Sequence, residues 1–486
     1  MKLKDLLKDI FVPECTADME LEISAVHYDS RKVTPGSLFV AISGFASDGN
    51  RFIPMAMEKG AVAVVTAKRP EVDVPYVLVT SDRLALALLG CNFFDHPSRD
   101  MIMVGVTGTN GKTSTTLLLK QVLEKTIGAK VGLIGTMANM VGDEILPTER
   151  TTPESFELQA LFARMRDAGC THVVMEVSSH AVTLDRIGGV WFDVAAFTNL
   201  TEDHLDFHKT MDDYCAAKAG LFHSSAKSVV NVDDSYAERI LYAANMPLVT
   251  TSVEGSGCLR AENVELFAEG IRFTAVCGTQ RTAVCVPIPG RFTVYNTLTV
   301  MGIAIHLGIS LDECAAALKN VQGVKGRIEV VPTPDTEYTV LIDYAHTPDG
   351  LENVLTSVKG FCKGRLISVF GCGGDRDPMK RPIMGRIGVE CSDIAIITSD
   401  NPRTEKPMAI IEDILKGVNP ELGEYIVMED RRAAIRYAMD IAEKDDIIVL
   451  AGKGHETYQE VCGVKYHLDE REEVAAHLAE LRNQNG

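Results

Sequence analysis

The stretch VGVTGTNGKTSTT, residues 104–116, places Gly105, Gly108 and Gly111 ahead of Lys112 and Thr113. Glycines tolerate positive φ and let a backbone approach a ligand closely. Backbone N–H groups at a helix N-terminus attract phosphate. Lys112 would reach the outer phosphates, and the Thr113 hydroxyl could hold Mg2+. The candidate nucleotide residues are therefore Gly108, Thr109, Asn110, Gly111, Lys112, Thr113 and Ser114. The spacing departs from the common phosphate loop, which carries a glycine five residues before the Gly-Lys pair. Val106 stands at that position. The plain alternative is a glycine-rich turn capped by Thr113.

Further groups follow along the chain. MEVSSHAVTLDR ends an apolar run with Glu176, Ser178, Ser179 and His180. TNLTEDHLDFH then offers Asn199, Asp203, His204, Asp206 and His208. Hard ligands of this kind suit Mg2+, which keeps several waters and takes one or two protein groups plus phosphates. Glu176 and His204 are the candidate ligands of such a cation; the others equally suit helix capping and mutual hydrogen bonding. Lys218, in YCAAKAGLF, reads by itself as solvated charge on a helix, because an ammonium beside Mg2+ would be repelled.

These residues need elements to hold them. Short apolar runs (SLFVAISG, AVAVVTA, VPYVLVT) and an apolar helix (RLALALLGCNFF) fill residues 1–98, and DHPSRD reads as a linker. From residue 99 to 328, buried-strand runs alternate with helical stretches, which predicts a mainly parallel sheet. Within it, residues 258–290 alternate apolar and polar, as a small antiparallel insertion would. Residues 329–486 repeat the strand–helix alternation as a second, Rossmann-like sheet. The polar motifs HTPDG, CGGDRDPMKRP, NPRTEKP and KGHETYQ lie in the loops after its strands. Ligands of open α/β sheets bind outside the carboxyl ends of the strands. The fold class expected is α/β in three domains.

Composition narrows the function. The 486 residues are 46% hydrophobic and 24% charged, as in soluble globular proteins. A net charge of −19 argues against general nucleic-acid binding. The longest apolar runs are too short to span a bilayer, and no signal-peptide pattern opens the chain, so a cytoplasmic protein without membrane insertion is expected. Its 12 cysteines form no C-x-x-C pair and read as free thiols. No self-association signal stands out, and a monomer is expected.

GTNGKTS, TTPES, EVSSHA, TNLTEDHLDFH, AAKAGLF, DYAHTPDG, GCGGDRDPMKRP, SDNPRTEKP and AGKGHETYQ occur in this order and span nearly the whole chain. Together they resemble the Mur ligases, the ATP-dependent enzymes that build the peptide stem of peptidoglycan. These enzymes carry a phosphate loop of this shifted form. The resemblance is nearest to the branch that adds the third residue to UDP-N-acetylmuramoyl-L-alanyl-D-glutamate. It implies a UDP-sugar domain, an ATPase domain and an amino-acid domain. It also implies ATP as co-substrate, Mg2+ as cofactor and an acyl phosphate on the D-glutamate side chain.

By the same resemblance Lys218 is carbamylated and joins Thr113, Glu176 and His204 around the metal, with Lys112, Lys218 and His204 as catalytic residues. Thr151, Thr152, Ser178 and Arg186 match positions holding the peptide part of the precursor, and Ser30 matches its uridine-diphosphate end. Asn296, Arg327 and His346 match the ATP site. Asn50 stands where related sequences often carry histidine.

Asp400, Asn401, Pro402 and Arg403 match the motif of the diaminopimelate-adding branch. Meso-diaminopimelate differs from L-lysine by a distal carboxylate, and a guanidinium is the best fork for one. Arg376 is a second candidate clamp, with Gly452 and Glu456 at the other end of the amino acid. A solvated Arg403 paired with Glu405 is the bland alternative. Competing classes are an L-lysine-adding or folylpolyglutamate synthetase-like ligase and a phosphate-loop switch. An oxidoreductase is discounted, because GCGGDRD lacks the full dinucleotide fingerprint.

Overall fold

The computed structural model describes residues 1–486 except Phe45, Ala46, Glu149, Ser256 and Gly486, and without the side chains of Asp206 and Asn483, Gln484 and Asn485. The chain forms two compact units. One comprises Met1–Arg260 with Leu298–Cys314, the other Ala261–Thr297 with Ala315–Gly486.

The first unit holds two sheets. The smaller has the order Glu14–Cys15, Tyr76–Leu78, Ala61–Thr66, Ser37–Ala41, Ala25–His27. It is parallel except for its first pair. The larger places Ile102–Thr107 between His172–Glu176 and Phe192–Phe197, both parallel to it. Ser225–Asn231 and Leu248–Ser252 continue the parallel order on one side, and Val131–Ile134 on the other. The central strands read IMVGVT, HVVME and FDVAAF. Unbroken apolar runs suit strands covered on both faces, and every residue of His172–Glu176 is buried. Residues between the strands form helices Lys112–Ile127 and Ser155–Asp167. The apolar side of Ser155–Asp167, with the sheet, builds a core that includes Met103, Phe162, Phe192 and Phe197, and Lys112–Ile127 buries Leu118, Leu119, Val122 and Leu123.

An antiparallel hairpin, Asn139–Val141 with Glu144–Leu146, extends the sheet edge. It is too short to leave a readable period, and the sequence reading does not predict it.

In the second unit a six-stranded sheet runs Glu329–Val331, Thr339–Asp343, Ile447–Ala451, Leu366–Phe370, Ile394–Ile397, Glu424–Val427. All its pairs but the first are parallel. Separate apolar clusters cover its two faces, one around Phe370 and Ile411, the other around Ile396 and Ile435. Gly270–Cys277 and Gln280–Val286 form an antiparallel hairpin within the stretch expected to be an antiparallel insertion. A second hairpin joins Tyr458–Val461 to Val464–His467.

All twelve cysteines carry free thiols. Among the described residues no helix is long and apolar enough to cross a membrane.

The second unit also contains a fully buried ion pair. Arg431 Nε and Nη2 lie 2.8 and 2.7 Å from Glu470 Oε1, and neither side chain is exposed. Removing one partner of such a pair leaves an uncompensated buried charge, at a cost of about 3–5 kcal/mol. Glu470→Ala should therefore lower the urea midpoint followed by circular dichroism, and an unchanged midpoint would show that the pair contributes nothing net.

Candidate active site

The phosphate loop leaves the strand Ile102–Thr107 and enters the helix Lys112–Ile127. Gly111 sits at φ 84°, the left-handed conformation open to glycine, and caps that helix. At Gly108 a Cβ would collide with Thr198 Oγ1. The loop is held by its neighbour TNLT. Thr198 Oγ1 donates to Asn110 O at 2.7 Å, Asn110 N donates to Asn199 Oδ1 at 2.9 Å, and Thr201 N donates to Thr109 Oγ1 at 3.0 Å. Lys112 Nζ folds back onto Gly108 O and Thr109 O, at 2.8 and 2.7 Å. Thr113 and Ser114 are half-buried in the first helical turn.

Lys218 points at the same oxygen. Its Nζ donates to Gly108 O at 2.8 Å and lies 4.3 Å from the centre of the Tyr214 ring. Only 1% of the residue is exposed, so the reading of a solvated helix lysine is wrong. The helix Met211–Ala219 turns Tyr214, Cys215 and Lys218 inward together. Burial, with the Lys112 charge second, holds the Lys218 pKa well below the ordinary lysine value.

Glu176 ends the strand next to the loop strand, in register with Val106. Its carboxylate accepts from Thr136 N at 2.9 Å and from Thr136 Oγ1 at 3.1 Å. Thr136 Oγ1 is also 2.9 Å from Thr151 Oγ1. Thr152 Oγ1 donates to Glu176 O at 2.9 Å and accepts from Ser178 N at 3.2 Å. Arg186 Nη1 donates to Thr152 O at 3.1 Å, and its Nη2 is 2.9 Å from Glu154 Oε1. Glu176, Thr151, Thr152, Ser178 and Arg186 thus form one cluster at the carboxyl end of the sheet.

His204 is half-exposed in a left-handed conformation, φ 54°, with its ring edge-on to His180 at 4.9 Å and to Tyr214 at 6.1 Å. Its Nε2 is 3.5 Å from Asp203 Oδ2. His208 turns inward instead, 2.8 Å from Ser179 Oγ. Burial, then the neighbouring His180 and Lys218, push its pKa down to about 4, so it serves as a neutral structural partner. Asp206 lies outside the described side chains. Ser30 is buried with its Oγ 3.5 Å from Met55 Sδ. Asn50 is tied to Thr66 and Asp48, at 2.7 Å each.

In the second unit the polar motifs follow neighbouring strand ends. Lys453, fully buried, bonds Asn401 Oδ1 at 3.0 Å and Tyr458 O at 2.7 Å, and lies 3.4 Å from Glu456 Oε2 and 3.6 Å from Asp400 Oδ1. Asn401 Nδ2 donates to Glu456 Oε2 at 2.8 Å. A side chain at Gly452 would press on Asp400 Oδ2 at 2.6 Å. Arg403, which follows Pro402, donates through Nη1 to Gly374 O at 2.7 Å. Glu405 does not take it: that carboxylate accepts from Arg381 Nη1 and Nη2, at 2.9 and 2.7 Å. Arg376 is exposed beside this loop. Arg327 and His346 gather on one ring, 5.4 and 4.8 Å from that of Tyr344. Asn296 is buried in the helix Arg291–His306.

With this geometry in place, comparison with known proteins is decisive. Three family profiles match in chain order: the Mur ligase family catalytic domain over residues 22–87, the Mur ligase middle domain over 106–304, and the Mur ligase glutamate ligase domain over 326–454. The chain belongs to the Mur ligase family. Among its relatives is the UDP-N-acetylmuramoyl-L-alanyl-D-glutamate--2,6-diaminopimelate ligase 1 of Clostridium acetobutylicum, 47% identical over 99% of this chain and 100% of that one. The corresponding ligase of Clostridium tetani is 46% identical over 99% and 100%. A solved structure of a UDP-N-acetylmuramoyl-L-alanyl-D-glutamate--2,6-diaminopimelate ligase superposes with a TM-score of 0.78 at 30% identity, covering 99% of both chains. A folylpolyglutamate synthase of Mycobacterium tuberculosis shares the fold alone, with a TM-score of 0.58 at 17% identity. Mur ligases act in peptidoglycan synthesis and use ATP and a magnesium ion.

Four residues of this Mur ligase that the sequence reading passes over shape its sites: Thr198, Tyr214, Tyr344 and Lys453. All four lie inside quoted motifs, yet the bonds of Thr198 to Asn110 and of Lys453 to Asn401 join segments far apart in sequence and leave no local period. The loop's fit to its neighbours gives a direct test. Gly108→Ala must displace Thr198 and with it Asn110. ATP-dependent turnover should fall by about 10²-fold or more, on the scale of losing a preorganised phosphate contact, with the circular dichroism spectrum retained. Turnover near wild type would mean that Gly108 does not set the loop.

Proposed function

We propose that this Mur ligase joins an amino group of meso-diaminopimelate to the D-glutamate side-chain carboxylate of UDP-N-acetylmuramoyl-L-alanyl-D-glutamate, with ATP converted to ADP and phosphate. The observation that carries the reading is the convergence of Lys112 and Lys218 on Gly108 O, one strand away from the Glu176–Thr151–Thr152–Ser178–Arg186 cluster. The relatives named for this reaction supply the substrate identities.

A carboxylate is a poor acyl donor because its leaving group would be oxide. In the reaction proposed, a side-chain carboxylate oxygen attacks the γ-phosphorus of ATP and ADP leaves. The amine then attacks the acyl carbon of the mixed anhydride, the C–O bond breaks, phosphate departs with the electron pair, and the amine loses a proton. Residues Gly108–Ser114 cradle the phosphates with backbone N–H groups, and Lys112 exchanges the loop carbonyls for phosphate oxygens. Thr151, Thr152, Ser178 and Arg186 hold the precursor peptide, and Ser30 its uridine-diphosphate end. Asn296, Arg327 and His346 serve ATP. Asp400, Asn401, Arg403, Gly452 and Glu456 hold diaminopimelate, with Arg376 at the rim. Residues 1–98, 99–328 and 329–486 are the corresponding UDP-sugar, ATP and amino-acid domains.

Thr113 and Glu176 offer the oxygen donors that Mg2+ prefers, and His204 would add an imidazole, which is a less usual ligand for it. Lys218 as an ammonium does not fit that set. As a neutral amine it does, because its lone pair adds to CO2 with loss of a proton, giving a carbamate anion that can ligate the metal. Burial of Lys218 among apolar and aromatic neighbours favours that neutral amine. Magnesium held there would neutralise charge developing on the transferring phosphoryl group. Lys218→Ala should lose most activity and regain part of it with a short carboxylic acid in the buffer. Density or ¹³C NMR showing a free ammonium at Lys218 in the active, metal-bound enzyme would contradict the carbamate.

The reading as a whole is tested by phosphate release. Release should require the precursor and meso-diaminopimelate together, with L-lysine a poor replacement by about 10⁴-fold, as expected of a site built around a charged partner. Arg403→Ala should raise KM for diaminopimelate far more than KM for ATP. Equal use of L-lysine by the wild-type enzyme would overturn the amino-acid assignment.

A further inference from the structure

We infer that Glu460 is a positioning residue for Arg403, and that through it the hairpin Tyr458–His467 helps select an amino acid with a distal carboxylate. The inference rests on the diaminopimelate reading above. Arg403 has φ +50°, a conformation uncommon for a residue with a side chain. The hairpin brackets it there: Arg403 N donates to Glu460 O at 3.0 Å, and Cys462 N donates to Arg403 O at 2.7 Å. The same strand ties down the residues before it. Gln459 Nε2 donates to Asp400 O at 2.6 Å, and Glu460 N donates to Asn401 Oδ1 at 2.9 Å. The whole loop Asp400–Arg403 is therefore carried on the hairpin's first strand.

The side chain of Glu460 adds a contact that the backbone does not. Its Oε2 lies 3.5 Å from Arg403 Nε, and the two side chains are 27% and 21% exposed. On the other side Arg403 Nη1 is held by Gly374 O, and the guanidinium lies close over Gly373, where a Cβ would be 2.8 Å from Nη1. A guanidinium can take a carboxylate along either of two edges. With Glu460 on the Nε side, an incoming carboxylate is directed to the Nη side. Without Glu460 only the Gly374 carbonyl fixes the group about its Cδ–Nε bond, and the Nε edge is left open to the substrate. The charge of Glu460 also offsets that of Arg403, so that geometry rather than net charge decides which anion is held.

Steady-state kinetics of Glu460→Ala and Glu460→Gln, alone and combined with Arg403→Ala, decide the matter. Glu460→Ala should raise KM for meso-diaminopimelate roughly three- to fivefold, the upper end of the scale for a partly exposed ion pair. Its kcat and KM for ATP should stay within about twofold, and its melting temperature should be unchanged. Glu460→Gln, which still presents an acceptor to Nε, should recover most of the loss. In the Arg403→Ala background Glu460→Ala should add nothing, because the residue acts only through that arginine. An unchanged KM in Glu460→Ala, or an equal penalty with and without Arg403, overturns the inference. Glu460→Val, which keeps strand propensity, is judged by the same KM criterion if alanine weakens the hairpin. Failure of the wild-type enzyme to use meso-diaminopimelate would bring down the substrate reading and this inference together. A wild-type enzyme that uses it beside an unaffected Glu460→Ala would bring down this inference alone.

Discussion

Two lysine side chains end on one carbonyl oxygen, that of Gly108, and the first unit is arranged around that crowding. Lys112 reaches it from the start of its own helix and Lys218 from a helix more than a hundred residues later. A side chain at position 108 would displace Thr198, whose hydroxyl holds the loop at Asn110. Two ammonium groups at one buried oxygen repel each other, and burial with that repulsion holds the Lys218 pKa well below the ordinary lysine value. Burial of Lys218 is thus more than packing. In the carbamate reading proposed above it favours the neutral amine that CO2 requires, and the loop strand that carries Gly108 pairs with the strand that ends in Glu176.

The second unit solves a different problem. In the reading proposed above it recognises a zwitterionic amino acid, and for that it has to hold charged groups apart from each other and from water. Lys453 does this for Asp400, Asn401 and Glu456, in a position with no exposure at all. The hairpin does it for Arg403 through main-chain bonds. Both devices join the loop after Ile394–Ile397 to the loop after Ile447–Ala451, whose strands are separated in the sheet by Leu366–Phe370 alone. The strand order therefore determines which motifs can share a ligand, in keeping with the rule that ligands of open α/β sheets lie beyond the carboxyl ends of the strands.

Much of this was legible in the sequence where chemistry and periodicity coincide. The glycine loop is flanked by an apolar strand and a helix, and every polar motif of the second unit follows a strand of the expected kind. Lys218 was harder. Read singly it is a solvated charge, and only the family resemblance reversed that reading. Yet a local signal exists, since Tyr214, Cys215 and Lys218 share one helical face. The pairing of Arg403 with Glu405, weighed only as the plain alternative, does not form. Glu405 is two residues from Arg403, but its partner Arg381 comes from a separate helix, and sequence distance carries no information about that choice. The hairpin Tyr458–His467 went unread because strands of four residues give too few alternations to register. The bonds from Thr198 to Asn110 and from Lys453 to Asn401 are tertiary.

The central claim is that a substrate carboxylate is activated as an acyl phosphate before the amide forms. Its most direct test is an oxygen-transfer measurement. The precursor is labelled with ¹⁸O in the D-glutamate side-chain carboxylate and turned over with ATP and meso-diaminopimelate, and the phosphate released is examined by mass spectrometry or ³¹P NMR. The account predicts one ¹⁸O in each phosphate, because the oxygen that attacked phosphorus leaves with it. Phosphate free of the label, with amide formed at the normal rate, would contradict it.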